Sequence, residues 1–269
     1  MIKFINSNTL KVIAILAMII DHIGYYFSFC LDENAYDIMR IIGRIAMPIF
    51  VFLLVQGYKK TSNLKKYLFR LLLYAIITQI CISLVYIVNI IYVPNYLSNI
   101  ANVYNILFSF VFVIILFIAI DKKKDIMNVF FKNIRINKLF EIILRSFIVF
   151  IIIIFYAYIK IDYGFIVPFM ALGIYLVLNL CEILKSNDEK KNKYIFSIIY
   201  YVGISLSIII FGLFEANYFE YVGLSLIFIF LYNGQLGKKN QIIQNIYYLI
   251  FPVQHVLLYL IALWLKKWS

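Results

Sequence analysis

Charge is scarce in this chain, and carboxylate is scarcer still. Only 14% of the 269 residues are charged, where a soluble domain carries roughly 25%, so a soluble globular class is excluded. Apolar residues make up 65%, and no polar stretch is long enough to form a separate soluble domain. The chain has two histidines and three cysteines; Cys30, Cys81 and Cys181 show no metal-ligand spacing and read as unpaired apolar side chains. No metal site is expected. Four prolines and ten glycines are scattered through hydrophobic sequence and form no linker, and no internal repeat is visible. Residues 1–269 therefore read as one integral-membrane domain.

What the chain does have is apolar runs of about 20 residues, each long enough to cross a ~30 Å hydrocarbon core as helix. Hydropathy predicts an all-α, multi-pass membrane protein of about nine helices, near 10–30, 38–58, 68–92, 102–121, 140–160, 163–182, 194–214, 217–233 and 244–265. The first run lacks a small-residue cleavage site and reads as a retained span. The net charge of +12 reports topology and not nucleic-acid binding. Twenty of the 25 cations fall in alternate loops: Lys3 and Lys11; Lys59 to Arg70; Lys122 to Arg145; Lys185 to Lys193; Lys238 and Lys239. By the positive-inside rule the N-terminus is cytoplasmic and the protein sits in the cytoplasmic membrane. Lys266 and Lys267 fit only if the last span ends outside with snorkelling lysines, or if the count is off by one.

Ionisable groups inside spans are costly and usually face a protein interior or a wet cavity. The first span reads KVIAILAMIIDHIG from Lys11 to Gly24. Lys11 and His22 lie eleven residues apart, about 16.5 Å of helical rise, and eleven steps of ~100° return to nearly the same face. One stripe thus joins a cytoplasmic-side cation to a histidine beyond mid-depth. Asp21 is turned ~100° from that stripe and is expected to hold a neighbouring helix. In RIIGRIAMPIF, Arg40 and Arg44 share a helix face near the depth of His22, and Gly43 permits close helix approach. Arg44 is expected in a buried polar site, and Pro48 is expected to bend the span.

QGYKKTSNLKKYLFRL forms a basic cytoplasmic shelf with Lys59, Lys65, Lys66 and Arg70; anionic lipid headgroups and a phosphate-bearing ligand explain it equally well. Further polar intrusions are Asn105, Asp162 in a DYG turn, Asn233 in YNGQLG, and His255 in FPVQHVLLYL. Both histidines are predicted near mid-membrane.

Taken together, LKVIAILAMIIDHIG, RIIGRIAMPIFVFLLVQGYKKTSNLKKYLFRLL, NILFSF, DYG, LYNGQLG and FPVQHVLLYL resemble the TraX family, in the family's order over nearly the whole chain. The namesake of that family is linked to acetylation of the pilin N-terminus in conjugation systems. The family in turn resembles the transmembrane acyltransferases of the acyltransferase-three group, in which a basic residue followed by a histidine at the spacing of Lys11 and His22 recurs in the first span. The resemblance implies acetyl-CoA as donor, His22 as the catalytic histidine and Lys11 near the coenzyme A end of the donor path. Where the pattern leads one to expect an acid early in the third span, this chain has Gln79 in ITQICIS.

Acyl transfer from a thioester needs a base for the acceptor and donors for the oxyanion. His22 fits the first, as general base or as transient acetyl carrier, and Arg44 or Arg40 the second. The phosphates of acetyl-CoA would rest on Lys11, Lys59, Lys65, Lys66 and Arg70. His255, Asp162, Asn105, Asn233 and Asp21 are secondary candidates, by turns structural or functional. The acceptor expected is extracytoplasmic: a pilin-like peptide amine, a wall polymer or a glycan. The rival readings are a transporter, against which the lack of paired Gly/Pro-broken spans argues, and a non-catalytic assembly factor for an envelope structure. The topology is checked by an Asn187→Cys variant, expected to react with a membrane-impermeant maleimide only after the cells are opened; labelling of intact cells would invert the assignment of sides.

Overall fold

The computed structural model describes residues 4–92, 103–121, 137–187, 193–214, 219–237 and 241–268. Lys3, the loop cations from Lys122 to Arg135, Lys190, Lys191, Glu215, Lys238 and Lys239 lie outside the described residues. The described residues form helices and no β-strand. In chain order these are α1 (Ser7–Tyr26), α2 (Glu33–Gly43), α3 (Ala46–Lys60), α4 (Leu64–Tyr92), α5 (Ile106–Ile120), α6 (Lys138–Tyr158), α7 (Ile166–Asn187), α8 (Lys193–Gly212), a 3-10 turn (Phe219–Leu224) running into α9 (Ser225–Phe230), and α10 (Gln241–Trp268). Seven helical stretches are long and apolar enough to cross a bilayer, counting α2 and α3 as one; the shorter apolar helices α5 and α9 stand at the fourth and eighth predicted spans. The outward faces carry exposed apolar side chains, as on α6 with Phe140, Ile143, Phe147, Phe150 and Ile154, which is what a helix turned toward lipid presents. This is a multi-pass helical membrane protein.

The second predicted span is broken at Arg44 and Ile45, between α2 and α3. Pro48 accounts for the position. It has no N–H for the carbonyl four residues earlier, and its ring collides with that carbonyl; the residue concerned is Arg44. The bend expected at Pro48 therefore falls one turn upstream, and Pro48 itself sits in the first turn of α3, where a proline is tolerated.

The helices fall into two compact units, residues 1–56 with 169–269, and residues 57–168. In the first, Asn6 caps α1, its Oδ1 accepting from the backbone N–H groups of Asn8 and Thr9 at 3.0 Å each. The turn 231–237 clamps that start: Ile5 N–H donates to Leu231 O at 3.1 Å, Ser7 N–H to Gln235 O at 2.9 Å, and Asn233 N–H to Ile5 O at 2.9 Å. Gly234 and Gly237 take positive φ values of 80° and 75° there, a region in which a Cβ is disfavoured. Helices α7 and α8 approach closely because Gly173 faces Ser207 and Gly203 faces Val177.

In the second unit, two polar devices tie the helices. Asn105 caps α5, and its Nδ2 donates to Ala75 O and Gln79 Oε1, both at 2.9 Å, while Gln79 Oε1 also accepts the Asn105 N–H at 3.0 Å. Gln79, the departure from the family pattern, thus has a structural partner. At the other end of α5, Arg145 on α6 donates through Nη1 to the carbonyls of Ile118 (2.9 Å), Ala119 (3.0 Å) and Asp121 (3.3 Å), and is held by Glu141 at 2.6 Å. A cation on the last carbonyls of a helix offsets its dipole. Arg145 is therefore a cap within the bundle as well as a loop-side cation.

Because Asn105 and Gln79 share one hydrogen-bond system, their contributions are coupled. Asn105→Ala is expected to lower stability in detergent by about 2 kcal/mol, Gln79→Ala by less, and the double variant by clearly less than the sum. Additive losses in a chemical-denaturation series would show that the pair is not the tie between α4 and α5.

Candidate functional site

Three residues on the second half of α1 build the site, and helical geometry divides them between two neighbours. Asp21 and His22 are adjacent and so point ~100° apart, whereas His22 and Tyr26 are four residues apart and share a face. Asp21 turns to α2. His22 and Tyr26 turn to α10.

On the α2 side, Asp21 Oδ1 receives Arg44 Nη2 at 2.8 Å and Arg40 Nη1 at 2.9 Å. Arg44 Nε donates back to Arg40 O at 3.2 Å, and Arg40 Nη1 also reaches Asp21 O at 3.4 Å. Asp21 is 8% and Arg44 6% exposed. One carboxylate oxygen holds two guanidiniums, which fits the expectation that Asp21 pairs with a neighbouring helix. The approach is possible because Gly43 has no side chain: a Cβ there would coincide with the Asp21 carboxylate. Gly24 also lets α1 approach α2, where a Cβ would lie 3.0 Å from Met39 Cβ.

On the α10 side, the His22 and His255 rings lie 4.5 Å apart at 50°. His255 Nδ1 and Tyr26 Oη form a 2.9 Å hydrogen bond. Phe251 edges onto both imidazoles, at 6.4 Å from His22 and 5.5 Å from His255. Tyr259 packs on Tyr26 with centroids 6.4 Å apart. The carboxamide of Gln254, itself 6% exposed, lies beside the His22 imidazole. No bond there meets strict geometry: His22 Nδ1, both polar atoms of Gln254 and the Tyr259 hydroxyl are enclosed without a hydrogen-bond partner. Both histidines are half-buried. Pro252 lies inside α10 about one turn before His255 and does not end the helix.

The stripe predicted from Lys11 to His22 is present. Lys11 Nζ lies 5.9 Å from the Tyr247 ring, so both residues face α10. Contacts rise in register along both helices, from Lys11 with Tyr247, through His22 with His255, to Phe29 with Lys266 at 5.7 Å. Helices α1 and α10 are therefore parallel, and Lys266 lies at the opposite end of this helix pair from the start of α1.

The other sequence-flagged residues lie elsewhere. Lys59 closes α3; Lys65 and Lys66 open α4 around the Asn63 cap, where Asn63 Oδ1 accepts Lys66 N–H at 2.9 Å. Arg70 stands 6.0 Å from the Tyr67 ring. These cations, Asn105 and Asp162 belong to the unit 57–168. Asp162 is exposed in a turn where Tyr163 and Gly164 have φ values of 61° and 43°, and its N–H donates to Tyr104 O at 2.8 Å. Asn233 shapes the turn 231–237 by accepting Gln235 N–H at 2.9 Å. Among the described residues no group of His, Cys, Asp and Glu has the arrangement of a metal site.

Sequence reasoning missed Tyr26, Gln254 and Tyr259. Their signal was helical spacing from the two histidines, at four residues for each tyrosine and one for Gln254. In a chain with 23 tyrosines that spacing does not stand out.

The fold and the site define a class: a multi-pass helical membrane protein in which one helix, α1, joins a buried ion cluster with α2 on one face and an imidazole pair with α10 on another, ~100° around. Residues 6–262 match the model of the family described as TraX protein, and the chain belongs to that family. Over 72 residues it is 42% identical to the probable fimbrial assembly protein FimC, serogroup H1, of Dichelobacter nodosus, covering 26% of this chain and 28% of that one. Over 80 residues it is 40% identical to an uncharacterized protein of Rickettsia prowazekii (strain Madrid E), covering 30% of this chain and 28% of the other. The chain thus spans less than a third of the length of these curated relatives. No solved structure matches it.

Removing one member of a buried ion group leaves an uncompensated charge, at about 3–5 kcal/mol. Asp21→Ala is expected to show that loss, and Asp21→Ala with Arg44→Met a smaller one, measured as detergent-resistant folded fraction. A double variant weaker than the single one would contradict a compensating pair.

Proposed function

We propose that this protein is a membrane-embedded acyltransferase of the cytoplasmic membrane, moving an acetyl group from cytoplasmic acetyl-CoA to an envelope acceptor. The acceptor would be a pilin-like peptide amine or a glycan hydroxyl. The observation that carries this reading is the imidazole pair, His22 and His255, 4.5 Å apart and half-buried where α1 meets α10. A neutral imidazole is the side chain suited to take a proton from a hydroxyl or amine near pH 7. The arginines contribute differently from the simplest expectation. Arg44 and Arg40 share Asp21, so their first task is to fix α1 against α2, and beyond that they keep a positive field beside His22 that suits a developing oxyanion. No metal is invoked.

A second reading draws on the relative named as a fimbrial assembly protein: a non-catalytic role in assembling an envelope structure. The two are separated by incubating membranes containing the protein with radiolabelled acetyl-CoA. Wild type is expected to transfer label to an envelope fraction, and His22→Ala to fall by about 100-fold or more with its abundance unchanged. Transfer that does not depend on His22, or no transfer at all, favours the assembly role.

A further inference from the structure

Each imidazole of the pair has a neutral polar side chain from the opposite helix beside it. His255, on α10, meets Tyr26 of α1 at 2.9 Å. His22, on α1, has Gln254 of α10 beside it, with Nδ1 and the carboxamide all enclosed and lacking other partners. In a protein interior facing lipid, orphaned polar atoms are expensive, and neighbouring ones gain by pairing. A hydrogen bond between His22 Nδ1 and the Gln254 carboxamide would satisfy two of them at once. The pairing fixes more than position. A carboxamide oxygen only accepts, so a neutral imidazole bonded to it through Nδ1 carries its proton there; a tyrosine hydroxyl donates or accepts, and where it donates to Nδ1 the proton is on Nε2.

We propose that Gln254 and Tyr26 are positioning residues that set the two histidines in opposite tautomers. Gln254 Oε1 accepts Nδ1–H of His22, so His22 presents a bare Nε2 as base. Tyr26 Oη–H donates to Nδ1 of His255, so His255 presents Nε2–H as a hydrogen-bond donor. The assignment rests on the acyl-transfer reading and gives each histidine one part in it. The acceptor's O–H or N–H proton passes to His22 Nε2 as its lone pair bonds to the thioester carbon. The carbonyl pair moves to oxygen, which accepts from His255 Nε2–H. As the carbonyl re-forms, the C–S bond breaks and the coenzyme A thiolate takes the proton from His22.

The tautomers are read directly on wild-type protein carrying 15N-histidine in detergent micelles. With only two histidines in the chain, the expected spectrum has one Nδ1–H and one Nε2–H imidazole, and two imidazoles of the same tautomer overturn the proposal. This result does not depend on turnover, so a protein that transfers no acetyl group removes the acyltransferase reading while leaving the tautomer measurement to decide the pairing. Kinetics give the second arm. Gln254→Met, similar in volume but without an acceptor for N–H, is expected to lower kcat about 100-fold, with KM for acetyl-CoA within twofold. Gln254→Glu, which restores an acceptor, should recover most of that loss, and Tyr26→Phe should lower kcat about tenfold. A merely structural Gln254 predicts the reverse order, since an apolar side chain is tolerated in a core better than a carboxylate; a Met variant as active as wild type overturns the role.

Discussion

The Asp21 carboxylate is the constraint on which the rest of the site depends. It is buried between α1 and α2 with two guanidiniums on one oxygen, and a charge in that setting persists only when it is paired. The pairing fixes the rotation of α1 about its own axis. Once Asp21 is committed to α2, the next residue is turned toward α10, and so is the one four further on. The orientation of His22 and Tyr26 follows from a salt bridge in which neither takes part.

That arrangement separates two kinds of polarity within one turn of helix. The α2 side is ionic and cross-linked, with Gly43 and Gly24 bringing the backbones close. The α10 side holds two imidazoles, two phenols and a carboxamide, with Phe251 between the histidines and the start of α10. The ionic face holds geometry against the tendency of a polar helix to shift in lipid.

How much of this the sequence made legible depended on whether the signal was local. The nine apolar runs each meet a helix, because a long run of Leu, Ile, Val and Phe flanked by polar residues has few other ways to satisfy its backbone in a membrane. The stripe from Lys11 to His22 was readable because helical periodicity is fixed. Asp21 was readable as a cross-link for the same reason. The bend expected from Pro48 is present, and it lies at Arg44 and Ile45 because the damage a proline does falls at the carbonyl it cannot serve and not at its own position. Asn105 read as an intrusion because its partner Gln79 is distant in sequence, and Arg145 read as a loop cation because the carbonyls it caps belong to another helix.

By itself the sequence determined the class of protein, the approximate helices and the positions of the two histidines within spans, all of which follow from composition and from spacing along one chain; the family followed from the resemblance of its motifs. Only the tertiary structure decided that α1 and α10 run parallel in contact, that both arginines converge on one oxygen of Asp21, and that Tyr26 and Gln254 approach the histidines from opposite helices. These are choices of which helix faces which, made by packing and by the pairing of buried charge among residues up to 229 positions apart. No periodicity within a single segment encodes them.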